Sequence, residues 1–216
     1  MPRANEHTVY VPINAGKLEG DLEIPPTAQG LVLFAHGSGS SRFSPRNRFV
    51  AEYLRSGNIA TLLIDLLTAE EELMDQDRGE FRFNIKLLTD RLVHITEWLA
   101  RDERTRHLKL GYFGASTGAA AALCAAARVK GIGAVVSRGG RPDLAEKALP
   151  QVKAPTLLIV GGHDFPVIEM NQEALEQLLC EKQMVIVPHA THLFEEKGAL
   201  EKVAELALEW FQRYLR

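Results

Sequence analysis

The stretch Gly114-Ala115-Ser116-Thr117-Gly118 sets one serine between two glycines, after an apolar run and ahead of the alanines at 119–122. A G-x-S-x-G pattern between a strand and a helix is that of a serine nucleophile carried on a sharp turn. The turn leaves almost no room for side chains two positions to either side, which accounts for Gly114 and Gly118. The helix that follows aims its unpaired N–H groups and its positive end at the same spot. The rival reading is a glycine-flanked helix start in which Ser116 only caps.

A serine hydroxyl needs a base, and the base needs an acid to orient it. In strand-turn-helix folds with this pentapeptide the chain order is serine, then Asp or Glu, then histidine. Asp164, just past the apolar run Pro155–Gly162, and His192, in PHATHLFEE, fit that order. Asp143 is the rival acid, ranked lower because it follows Pro142 and reads as a helix start. His189 is the rival base. His192 is preferred because Leu193 and Phe194 follow at once and can anchor the loop in the core. The three-residue spacing of the two histidines could suggest a metal site, but no further Cys/His cluster supports one, so no metal is expected. His7 and His107 read as surface residues and His94 as a structural residue within a helix.

The third requirement is a set of donors for the oxyanion. The loop His36–Ser41 leaves an apolar run where such donors belong, and backbone N–H groups of Thr117 and Ser38 are expected to supply them. GSGSS has neither G-x-G-x-x-G nor a following Gly-Lys, which excludes a dinucleotide or phosphate loop. Arg42, Arg46, Arg138 and Arg141 lie on or near loops at strand ends, where guanidinium groups could bind an acidic substrate group. The alternative is pairing with Asp143 and the acidic segment or plain solvation.

Elements that could place these residues are legible. The apolar runs Leu31–Gly37, Ile59–Leu67, Leu108–Gly114, Ile132–Gly140, Pro155–Gly162 and Met184–His189 are near-continuous, as strands of a parallel sheet covered on both faces must be. Between them lie helical stripes: Phe49, Val50, Tyr53 and Leu54, then Leu88, Leu92, Ile95 and Leu99, and last Leu200, Val203, Leu206, Ala207, Trp210, Phe211 and Tyr214. His7–Ile13 and Leu18–Ile24 read as an antiparallel hairpin. The expected fold is α/β: one doubly wound, mostly parallel sheet behind an N-terminal hairpin, with helices on both faces and a single domain over residues 1–216. Ligands of such sheets bind at the carboxyl ends of the strands. The segment 67–84, with Glu70, Glu71, Glu72, Asp75 and Asp77, is a candidate short lid.

Composition narrows the classes further. The 216 residues are 46% hydrophobic, enough for a full core, and the net charge is −3. That balance gives no reason to expect a nucleic-acid partner. Two cysteines, Cys124 and Cys180, make a disulfide framework improbable and fit a reducing compartment. No secretory leader or membrane-length apolar run is evident, so a cytoplasmic protein with no membrane partner is expected. The expected partner is a small-molecule substrate, with no cofactor, acting as a monomer or homodimer.

With HGSGSS, GASTG, GGHD and THLFEE in place, the chain resembles the α/β-hydrolase superfamily, and within it the dienelactone-hydrolase-like branch. It is most similar to the small hydrolase domain that some bacterial proteins fuse to a phosphoribosyltransferase. SSRFSPRN, VVSRGGRPDLA and HLFEEKGALE carry that likeness, from about Leu18 onward. The resemblance puts Ser116, Asp164 and His192 at the family's triad positions. Dienelactone hydrolases themselves use a cysteine nucleophile, so the serine here favours ordinary ester chemistry. His189 and Phe165 are bulky for positions beside the triad and would narrow the pocket. No phosphoribosyltransferase portion is recognisable, so that activity is not implied. Two other readings stand beside a serine esterase: a non-catalytic binding module on the same fold, and an engineered or vestigial scaffold whose serine reacts with activated electrophiles but turns over little.

Overall fold

The computed structural model describes residues 5–14 and 16–216, apart from the side chains of residues 5, 6, 77 and 78. Eight strands form one sheet: β1 (Asn5–Ile13), β2 (Gly16–Ile24), β3 (Gly30–Ala35), β4 (Ile59–Ile64), β5 (Lys109–Ala115), β6 (Ala134–Arg138), β7 (Thr156–Gly161) and β8 (Lys182–Val187), in the order β1-β2-β4-β3-β5-β6-β7-β8. β1 and β2 are the expected hairpin, and β2 meets β4 antiparallel. From β4 across to β8 every pairing is parallel.

The helices are α1 (Pro45–Ser56), α2 (Ala69–Arg78), α3 (Ile85–Leu99), α4 (Thr117–Arg128), α5 (Phe165–Gln177) and α6 (Ala199–Tyr214), with a 3-10 segment at Pro142–Gln151. Because side chains alternate across a strand, β3 sends Leu31, Leu33 and Ala35 to one face, among α3, α4 and α5. It sends Val32 and Phe34 to the other, among α1 and α6. The hydrophobic stripes mark these faces: Leu88, Leu92, Ile95 and Leu99 are buried on the first, Val203, Ala207, Trp210 and Phe211 on the second. His94 is exposed but ties α3 to the hairpin through the Pro12 carbonyl at 2.7 Å.

Two features differ from the sequence reading. The helix α5 has a mixed pattern, only Val167, Asn171 and Ala174 being buried, so no stripe announced it. The segment after Pro142 does begin a helix, but a 3-10 one broken at Glu146, whose φ is 42°. No helix among the described residues is long and apolar enough to cross a membrane.

The winding decides where a site can form. The chain runs from β3 to β4 in one direction, then returns beside β3 as β5 and continues the other way. The loops leaving β3 and β5 therefore diverge, and their carboxyl ends leave a crevice.

Candidate active site

Ser116 sits in that crevice with φ 50° and ψ −123°, a conformation costly for a residue with a Cβ. Its neighbours enforce it. A Cβ on Gly114 would come 2.8 Å from the Ala119 nitrogen, and one on Gly118 would come 2.5 Å from the His36 carbonyl oxygen and nearer still to that of Ala35. The two glycines thus let α4 start directly against β5 and β3. Backbone bonds pin the turn from the other side, from Ser116 N–H to the Arg138 carbonyl at 3.3 Å and from Arg141 N–H to the Ser116 carbonyl at 3.1 Å. Although Ser116 occupies the N-cap position of α4, its side chain makes no capping bond, so the hydroxyl is not spent on the helix.

Asp164 behaves likewise. It stands at the N-cap position of α5, caps nothing, and its Oδ2 accepts from His192 Nδ1 at 2.6 Å. The Asp164 side chain is 13% exposed and that of His192 39%, leaving the far side of the ring open. The loop holding His192 is fixed by the buried Phe194, as its apolar sequence suggested. His192 also lies against Gly139, two residues before the Arg141 that clasps Ser116. Among the described residues no hydrogen bond joins Ser116 Oγ to the ring. Asp143 is engaged elsewhere, by both arms of Arg141 at 2.9 and 2.8 Å.

Gly37 brings the β3 loop against the serine: a Cβ there would sit 3.1 Å from Ser116 Cβ. Thr117 N–H, in the first turn of α4, has no intrahelical partner. The Ser38 amide is not free in this arrangement, since it donates to Thr117 Oγ1 at 2.9 Å. His36, at the base of the loop, is half-buried. Its Nε2 accepts from Leu66 N–H at 3.1 Å, so the proton is on Nδ1, which donates to the Gly37 carbonyl at 3.0 Å. Burial pushes its protonation below the ordinary 6.5. A neutral histidine therefore braces the β3 loop against the end of β4.

Beside this loop lies a cavity of about 420 Å³, bounded by His36–Ser40, Asp65 and Leu67 and roofed by Ala69, Glu72, Leu73 and Gln76 of α2. The 67–84 segment is thus a helix and turn over a cavity. Thr68 and Glu71 form a reciprocal cap at its start. At its end the buried Asp75 accepts from Phe81 N–H at 2.6 Å and Arg82 N–H at 3.2 Å. Glu70 is exposed; the side chain of Asp77 lies outside the described residues.

The remaining sequence candidates separate. Arg42 is paired with Asp65 and with Glu19 (3.1 Å), so it fastens the loop rather than waiting for a ligand. Arg141 is held by Asp143. Arg46 pairs at the rim with Glu195 at 3.3 Å, and Arg138 is buried. Contrary to expectation, His189 and Phe165 do not narrow the cavity. Phe165 is 68% exposed and His189 is exposed, and both lie against His163, at 6.4 and 5.6 Å between ring centres. They stand on the β7–β8 side, whereas the cavity is lined from the β3 and β4 loops and the segment that follows β4. Asp65 was missed, although an acid closing an apolar strand run is a visible signal. Among the described residues no group of three or more His, Cys, Asp or Glu side chains could hold a metal ion.

This sheet, with a strained serine after β5 and an Asp–His pair from the ends of β7 and β8, defines an α/β-hydrolase. Comparison with known proteins gives the family. Residues 59–215 match the model of the dienelactone hydrolase family, and the chain belongs to that family. It is 62% identical to a crystal structure of dienelactone hydrolase from Anabaena variabilis, covering 99% of both chains with a TM-score of 0.97. It is 53% identical over 215 residues to a Mycobacterium tuberculosis protein named provisionally as a phosphoribosyl transferase, covering 99% of this chain. The chain spans about half the length of the curated relatives it matches, 48%. An esterase of Pyrococcus furiosus shares the fold at 19% identity, with a TM-score of 0.80 over 99% of this chain and 94% of that one. The protein is a hydrolase of this family.

Proposed function

We propose that the hydrolase is a serine esterase acting on a small-molecule ester. His192 Nε2 takes the Ser116 proton as Oγ attacks the carbonyl carbon. The tetrahedral intermediate collapses to an acyl-enzyme as His192 returns that proton to the departing alkoxide. Water, deprotonated by His192, then cleaves the acyl-serine and restores the hydroxyl. Asp164 keeps the proton on Nδ1, so that Nε2 faces the serine as a base. Thr117 N–H and Ser38 N–H stabilise the oxyanion, the latter once Thr117 Oγ1 releases it. The observation that carries this reading is a strained serine whose hydroxyl caps nothing, one loop away from a 2.6 Å Asp–His pair.

A second reading, acylation with little turnover, is favoured by the occupied Ser38 amide and by the absence of a Ser116–His192 bond among the described residues. The test is fluorophosphonate labelling read by intact mass, beside hydrolysis of p-nitrophenyl acetate. The esterase reading expects one adduct, lost in Ser116→Ala and slowed in His192→Ala, with multiple turnovers of the ester. The same adduct beside ester hydrolysis that stops after about one equivalent supports the second reading. An adduct that persists in Ser116→Ala overturns both.

A further inference from the structure

The buried face of α5 carries Asn171 between Val167 and Ala174. The residue is 0% exposed, where an apolar side chain would pack with less loss of hydration, so its amide must serve hydrogen bonds. Asn171 Nδ2 donates to the Gly140 carbonyl at 3.0 Å and to the Val167 carbonyl, one turn back in its own helix, at 2.7 Å. The reverse orientation would set the amide oxygen against two carbonyl oxygens, which fixes which end is which. Oδ1 has no partner among the described residues. The side chain is therefore placed for its two donor bonds, and one of them reaches 31 residues back along the chain, to the turn after β6.

What that bond holds is a peptide group. The Gly140 carbonyl and the Arg141 N–H belong to one planar unit, so fixing one fixes the other. Arg141 N–H donates to the Ser116 carbonyl at 3.1 Å. That carbonyl shares its own planar unit with Thr117 N–H, the donor expected at the oxyanion. Two hydrogen bonds and two rigid peptide groups thus lead from the Asn171 amide to the group that meets the developing charge. Bonds in such a chain polarise one another and strengthen the last donor. Gly140 needs the hold. Its neighbour Gly139 is tied to β7 through the Ile159 carbonyl at 2.8 Å. Gly140 itself has no room for a side chain, since a Cβ would collide with Ser137 Oγ and come 2.6 Å from Ala119 Cβ. We propose that Asn171 is a positioning residue for the oxyanion donor: through the Gly140–Arg141 peptide it sets the direction of Thr117 N–H. The same helix begins at Asp164, so α5 orients the base from its first turn and the oxyanion donor from its second. The inference rests on the esterase reading.

The experiment measures kcat and KM for p-nitrophenyl acetate, the pH profile of kcat/KM and the rate of fluorophosphonate labelling. It uses the full chain, Asn171→Leu and, as a control at the exposed end of α5, Gln177→Ala. Leucine keeps the volume and removes the donor. In Asn171→Leu, kcat and the labelling rate should fall at least about tenfold while KM stays within about twofold, as expected for an interaction made in the transition state. The pH midpoint should stay in place, because the Asp164–His192 pair is untouched. Gln177→Ala should match the original. A residue that only packs would not give this split. A folded Asn171→Leu with unchanged kcat, with a rise confined to KM, or with a moved pH midpoint overturns the proposal. Should Asn171→Leu not fold, Asn171→Ser replaces it: the hydroxyl bonds back to the Val167 carbonyl but does not reach Gly140, and the same split is expected. Should neither fold, hydrogen exchange in the original chain decides. Arg141 N–H exchanging as slowly as the core of β5 supports the clamp, and exchange at the rate of exposed loop amides overturns it. Where the ester is not turned over, the labelling rates decide by the same tenfold criterion. An active original with unaffected variants removes Asn171 alone and leaves the esterase standing. An original that neither hydrolyses the ester nor labels at Ser116 ends the esterase reading, and the inference with it.

Discussion

Gly118→Ala gives the sharpest test of the serine turn, because local and tertiary arguments predict opposite signs. Gly118 is the second residue of α4. On helix propensity alone an alanine there would stabilise by ~0.5–1 kcal/mol. The tertiary arrangement forbids it. The new Cβ would sit 2.5 Å from the His36 carbonyl oxygen, and nearer still to that of Ala35, where ordinary contact begins near 3.4 Å, so α4 and β3 must part by more than 0.9 Å. The obstructing atoms are backbone, and no rotamer change relieves them. Overpacking costs ~1–3 kcal/mol, and the top of that range against the propensity gain leaves a net loss of ~2 kcal/mol. For a chain of this size that lowers Tm by ~4–8 °C. The parting also moves Ser116 relative to the Gly37 loop, and misplacement of reacting groups by ~1 Å costs about a hundredfold in rate. Calorimetry and the rate of fluorophosphonate labelling measure both effects. Gly131→Ala is the control. Its site is open and its φ of +87° carries strain alone, so it should lose ~1–2 kcal/mol with labelling unchanged. A Gly118→Ala protein as stable as the original, labelling at the original rate, would refute the argument that β3 and α4 are in contact through that glycine.

Three further outcomes follow from the same geometry. Asp164→Asn should lower kcat for p-nitrophenyl acetate by ~10³–10⁴-fold with little change in KM, because the imidazole loses the acceptor that fixes its tautomer; a loss confined to KM would show that Asp164 only shapes the site. His36 is held neutral by burial, so the unfolded chain binds its proton first and stability falls as pH drops below 6.5, by at most ~1.4 kcal/mol per pH unit. Urea midpoints measured between neutral and mildly acid pH should show a shallower decline in His36→Gln than in the original, and equal slopes would remove His36 from the account. Asp75→Ala strips the acceptor from Phe81 N–H and Arg82 N–H and should cost ~1–3 kcal/mol. Hydrogen exchange should localise that loss to the turn after α2, and faster exchange elsewhere but not there would contradict it.

The sequence by itself determined the sheet, the order of its parallel strands along the chain, the hairpin before them and the position of the serine turn. Each of these rests on local physics: apolar runs buried on both faces, a 3.6-residue stripe, and a pentapeptide whose Gly114 answers a steric demand from Ala119, five residues on. Chain order also pointed to Asp164 over Asp143, and the apolar pair after His192 to that histidine over His189; the structure brings those two side chains to 2.6 Å. What only the tertiary structure decided is how charges and donors are shared. Four arginines near strand ends look alike in sequence. Their different fates depend on which carboxylates arrive: Asp65 and Glu19 for Arg42, the nearby Asp143 for Arg141, Glu195 for Arg46, and, among the described residues, none on Nε or Nη1 of Arg138. The same holds for the Ser38 amide, taken up by a threonine 79 residues away, and for His189 and Phe165, which folding leaves on an exposed ledge. Periodicity and turn chemistry act over a few residues and can be read directly. Pairing of charges is settled by proximity in space, which the chain acquires only when β3, β5 and β6 come side by side.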